Sequence, residues 1–65
     1  MDTYRAEYRI TKQNKVIDCT YVLQATALDR AGRIAKQKLF AEHGWEIQTI
    51  SSYVGKTTDD GRFYV

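Results

Sequence analysis

The residue types that do covalent or metal chemistry are scarce in this chain, and their spacing does not suit the work. A reactive thiol needs a base or a positive charge beside it, and a zinc ion needs about four His, Cys or carboxylate ligands. The sequence has one cysteine, Cys19, and one histidine, His43, and His43 has no neighbouring Cys and no second His at metal spacing. Cys19 falls in phase with Ile17, Tyr21 and Leu23 and so reads as a small core residue. His43 reads as the last residue of a helix, placed against the negative end of its dipole. Gly55-Lys56-Thr57 matches the tail of a phosphate-binding loop, but Ile50 stands where the first glycine should be and no helix follows. It reads as loop. Asp59-Asp60 has the look of paired carboxylates, yet adjacent acids before Gly61 form a solvated turn. No Ser, Cys or Lys has an evident base in sequence context. The expectation is a protein without catalytic residues, bound metal or cofactor.

Charge is the better lead. The formal net charge of +2 is too small to diagnose nucleic-acid binding, so its distribution decides more than its sum. Residues 1–15 hold Arg5, Arg9, Lys12 and Lys15 against Asp2 and Glu7. The next charged block holds Arg30, Arg33, Lys36 and Lys38 against Asp29 and Glu42, whereas the segment from Trp45 onward is the acidic end. A helical period sets Arg30, Arg33, Lys36 and Gln37 on one side, with Phe40 about 20° from Arg33. Such a stripe is either a solvated face, with Phe40 folded down beside Trp45, or a docking face. Arg5, Arg9 and Lys12, with Lys15 across a turn, make a second candidate, although Glu7 and Asp18 offer them cross-strand partners. The candidate partner-binding residues are therefore Arg30, Arg33, Lys36, Phe40, Arg5, Arg9, Lys12 and Lys15. Tyr4, Tyr8 and Tyr21 take inward strand positions and read as core, not as platforms for stacked bases.

The elements that must position these residues follow from periodicity. Thr26–Gly44 is the one stretch with a helical repeat and with start and stop signals. Thr26 is the expected N-cap, the helix is expected to begin at Ala27, and Gly44 supplies the left-handed residue that ends it. Leu28, Ala31, Ala35 and Leu39, widened by Ala27 and Ile34, form its apolar stripe. Gly32 costs about 1 kcal/mol against alanine inside a helix, which suggests close packing there.

Thr3–Lys12 alternates strictly, with Tyr4, Ala6, Tyr8 and Ile10 on one side, so it is a half-buried strand. Lys12-Gln13-Asn14-Lys15 reads as a hairpin loop into a second strand, Val16–Ala25. A third strand is expected over Trp45–Val54, where imperfect alternation predicts a bulge or two partly covered faces. Gly55–Gly61 is expected as a loop and Arg62–Val65 as a fourth strand. The expected fold is α+β, ββαββ: a four-stranded antiparallel sheet of order 2-1-3-4 with one helix on one face.

Sixty-five residues make one domain, near the lower size at which a core folds without a disulfide or a metal. No run approaches the roughly 18 apolar residues of a membrane span, and Met1 is followed by an alternating strand pattern where a secretory signal would be apolar. A cytoplasmic protein with no membrane contact is expected.

The strand pair, the helix with spaced alanines over Ala25–Ala35 (ATALDRAGRIA) and the return from Gly44 resemble small phage-encoded anti-CRISPR inhibitors of the type I-F surveillance complex. The likeness covers about a third of the chain and suits many ββα modules. It implies an inhibitor whose basic and polar surface occupies the place where guide and target strands would pair. The expected partner is thus a protein or protein–nucleic acid complex. Direct nucleic-acid binding by the helix or the hairpin is the alternative, and the sheet edges or Val16 and Val22 offer a route to a homodimer.

Overall fold

A computed structural model describes residues 1–57. Along the chain run β1 (Asp2–Lys12), β2 (Lys15–Ala25), α1 (Leu28–His43) and β3 (Gln48–Lys56). The strict alternation of β1 is realised: Tyr4, Ala6, Tyr8 and Ile10 are buried, and the residues between them face the other way. β1 and β2 pair antiparallel in unbroken register from Asp2↔Ala25 to Lys12↔Lys15. Gln13 and Asn14 join them with φ of 51° and 64°. Two left-handed residues make a turn whose twist matches that of the strands, which fixes the register of the hairpin.

β3 lies on the other side of β1, from Tyr4↔Lys56 to Thr11↔Gln48, so the sheet order is β2-β1-β3. This corrects the expected four-stranded sheet of order 2-1-3-4: the described residues form three strands. The fourth strand was expected at Arg62–Val65, which lies outside the described residues, as does the Asp60-Gly61 turn. The bounds of the third strand are corrected as well. Gly55 and Lys56, expected to open a loop, pair with Arg5 and Tyr4, and the Thr57 amide donates to the Thr3 carbonyl at 2.9 Å. Backbone groups along β1 need partners over their whole length, and this non-local demand outweighs the loop character of a Gly-Lys pair. At the other end the strand begins at Gln48, because Trp45–Ile47 carry the chain from the helix back to the sheet. The expected bulge is present. Arg9 faces Ser51 and Ile10 faces Thr49, which leaves Ile50 as the extra residue, 54% exposed.

The helix begins one residue later than expected. Ala27 is the N-cap, with extended backbone (φ −155°) and no side-chain capping bond, so Thr26 does not cap it. Local support comes from Asp29, whose Oδ1 accepts the Arg30 amide at 3.0 Å. Ala31, Ala35 and Leu39 are fully buried against the sheet, while Leu28, expected in the same stripe, is 52% exposed. The contact starts a turn later than the pattern suggested. Gly44 takes φ 84° and its amide donates to the Phe40 carbonyl at 2.8 Å, the stop that the sequence marks. Around Gly32 there is room: a Cβ built there would meet Val54 Cγ2 at 3.9 Å, an ordinary contact. The close packing expected at Gly32 is not what keeps a glycine there. Among the described residues, no helix is long and apolar enough to cross a membrane.

Candidate functional site

Folding brings the scattered titratable residues together at the C-terminal end of α1, over β2. Cys19 Sγ lies 3.2 Å from His43 Nε2, and the Tyr21 hydroxyl donates to Glu42 Oε2 at 2.8 Å. Glu42 Oε1 is 3.7 Å from His43 Nε2. A thiol beside an imidazole is the arrangement that generates a thiolate when the pair is open to substrate. Here the electrostatics run against that chemistry. Burial pushes the Cys19 thiol up, the Glu42 carboxylate adds to the rise, and the Tyr21 hydroxyl only partly offsets them. Cys19 as a residue is also buried, 9% exposed. These contacts fasten the end of the helix to β2. Among the described residues, no group of three or more His, Cys, Asp or Glu side chains is placed to hold a metal ion.

The cations divide by what they touch. On the sheet face away from the helix, Arg9 grips Asp18 directly across the strand pair, Nε to Oδ1 at 2.9 Å and Nη2 to Oδ2 at 3.4 Å. Arg5 pairs with Glu7 at 2.8 Å, and Lys56 with Asp2 at 3.5 Å. The Arg9 hydrogen bond holds the Asp18 carboxyl below the usual carboxylate range. Lys12 and Lys15 flank the hairpin turn as register partners without a carboxylate at ion-pair distance among the described residues. Arg30, Arg33 and Lys36 are like Lys12 and Lys15 in this and differ from Arg5, Arg9 and Lys56. All three are exposed on α1, and their side chains make no hydrogen bond or ion pair with a described residue.

This stripe ends at an aromatic stack. Phe40 and Trp45 lie with ring centroids 4.8 Å apart and planes 16° from parallel. Phe40 is thus folded down beside Trp45, as the solvated-face reading of the stripe expected, and is half-buried, and the ring presented outward is that of Trp45, 82% exposed. Gln37, Phe40, Ala41 and Trp45 line an apolar hollow of about 250 Å³. A broader groove of about 560 Å³ runs past the other side of Trp45, between the hairpin residues Thr11–Asn14 and the segment Glu46–Gln48. Trp45 thus links the helix stripe to Lys12 at the hairpin tip. Sequence reasoning placed Trp45 inside a strand and missed it as a surface residue. The available signal was its position directly after the helix-ending glycine, where an apolar residue folds back on the last turn.

No family model, no curated protein and no solved structure matches this chain.

Proposed function

We propose that this chain is a small non-enzymatic binding protein, acting in the cytoplasm, that docks on a host protein or protein–nucleic acid complex through the outward face of α1. Arg30, Arg33 and Lys36 supply the charge of that face, and Trp45 on Phe40 supplies its apolar anchor. The supporting observation is the sorting of the cations. Arg5 and Arg9 already have carboxylate partners within the sheet, while the three on the helix, like Lys12 and Lys15 at the hairpin tip, have none among the described residues. An unpaired cation is free to meet an opposite charge on a partner, and such complementarity steers encounter and fixes register. Trp and Arg are also the residue types that carry most binding energy at interfaces.

In the form that the anti-CRISPR resemblance implies, the partner is a nucleic-acid-guided complex, and the basic stripe lies where phosphates would otherwise run. Capture of partners by the tagged chain from host lysate, with and without nuclease, tests this reading. The double variant Arg30→Glu/Arg33→Glu is expected to recover far less partner than the wild type while keeping its circular dichroism spectrum. Equal recovery would remove the helix from the interface. A second reading, direct nucleic-acid binding, draws on the exposed indole, whose face suits an unstacked base. Under that reading capture disappears with nuclease, and the free chain shifts DNA or RNA at low salt with affinity that falls steeply as salt is added.

A further inference from the structure

The central strand β1 has partners on both sides, but β2 has β1 on one side only, and no described residue pairs with its outer edge. An exposed strand edge is a row of unpaired amides and carbonyls, and proteins that stay monomeric blunt it with proline, lysine, a bulge or a short strand. β3 carries such a device, the bulge at Ile50. β2 carries one of them, Lys15, only at its end beside the turn; its eleven residues run in unbroken register without proline, and between Val16 and Ala25 the single charge is Asp18. That charge is held within the molecule by Arg9. Among the described residues, no unpaired charge of β2 lies along this edge beyond Lys15.

The turn fixes which residues of β2 face outward. Beside a two-residue turn, Lys12 and Lys15 exchange backbone bonds, so the odd-numbered residues of β2 face β1 and the even-numbered ones turn N–H and C=O to solvent. Two copies pairing antiparallel must therefore set even residues opposite even residues. The register centred on Cys19 does so, and it matches the exposed apolar side chains to each other. Val16, 62% exposed, then lies opposite Val22 of the second copy, 52% exposed, and Ile17 lies opposite Tyr21. Asp18 meets Thr20, an uncharged neighbour that can hydrogen-bond to it.

We infer that the outer edge of β2 is an interface between two copies of this chain, which joins their sheets across a two-fold axis near Cys19. The pairing rests on the backbone of β2 and on Val16 and Val22, none of which belongs to the helix stripe or to Trp45, so the inference stands apart from the docking reading above. A second copy is the favoured occupant because the register centred on Cys19 sets Val16 and Val22 against their own spacing in the second chain.

Sedimentation velocity across the micromolar to millimolar range tests it, on the wild type, Val22→Lys and Thr20→Pro. The wild type is expected to reach the mass of a dimer. Val22→Lys, a change at an exposed site on the open face, is expected to weaken the dimer about tenfold or more, because it places a solvated charge beside the edge. Thr20→Pro removes an outward donor from the middle of β2 and is expected to be monomeric. If Thr20→Pro proves unfolded by circular dichroism, Val22→Lys decides alone. A wild type that stays monomeric throughout, or a dimer that Val22→Lys leaves unchanged, overturns the inference.

Discussion

Tyr21 connects the hairpin to the end of the helix, and its chemistry gives the fold an alkaline limit. Burial first, and then the hydrogen bond to Glu42 and its negative charge, push the phenol well above the usual tyrosine range. Tyr8 and Cys19 are raised in the same direction by burial. In the unfolded chain a tyrosine ionises near pH 10, while in the folded protein Tyr21 keeps its proton. Above about pH 10 the unfolded state therefore binds fewer protons, so the stabilisation present below that pH is lost as pH rises. Urea midpoints are expected to hold steady near neutrality and to fall above about pH 10. Tyr21→Phe, which removes the ionisable group along with its bond to Glu42, should start lower and fall less steeply. Equal slopes for the two proteins would exclude Tyr21 as a source of the limit. None of this was legible in the sequence, because Cys19 and His43 stand 24 residues apart and only the docking of α1 makes them neighbours.

At the scale of elements, what could be read was what is local. The strict alternation of β1, the hairpin turn and the helix stop at Gly44 each depend on a few adjacent residues, and each is found where the pattern put it. The misreadings came where distant parts of the chain decide. Gly55-Lys56 has the composition of a loop but is held as strand by β1, and Leu28 has the spacing of a core residue but lies a turn before the sheet contact begins. Gly32 was misread for a different reason: a glycine among alanines suggests steric need, whereas a Cβ there would meet Val54 only at an ordinary contact distance of 3.9 Å. Its backbone does not need glycine either, since the left-handed residues described are Gln13, Asn14 and Gly44. Gly32→Ala is thus expected to stabilise the protein by about 0.5–1 kcal/mol, through the better helix propensity of alanine. Thermal and urea denaturation would show it. A loss of stability would mean that the Tyr8 hydroxyl bond to the Gly32 carbonyl, 3.4 Å long, does not tolerate the methyl group.

For the whole molecule, the small net charge conceals a division of labour between two layers. Charges on the open sheet face are largely matched in pairs across and along the strands, whereas those on the outer side of the helix are left to solvent. Glu7 and Asp18 could be read from the strand pattern as partners for the sheet cations, and Phe40 as lying beside Trp45, but not that the indole would stay exposed at the end of the stripe, because that depends on how the chain leaves Gly44. The two components of the proposed face are separable by salt. Interactions between exposed charges fade as the Debye length drops below about 10 Å near 0.1 M salt, while apolar burial does not. Affinity of the wild type for its captured partner is accordingly expected to decline with added salt, and that of Arg30→Glu/Arg33→Glu to be low and nearly flat. Trp45→Ala should keep the salt dependence of the wild type and shift the whole curve to weaker binding by about tenfold or more, the scale of a lost aromatic anchor. The fold should survive the change. Trp45 is 82% exposed, and its stack on Phe40 contributes only about 0.5–1.5 kcal/mol beyond the area it buries. A Trp45→Ala curve that overlays the wild type would confine the docking face to the charged stripe, and a wild-type curve without salt dependence would take the stripe out of the interface.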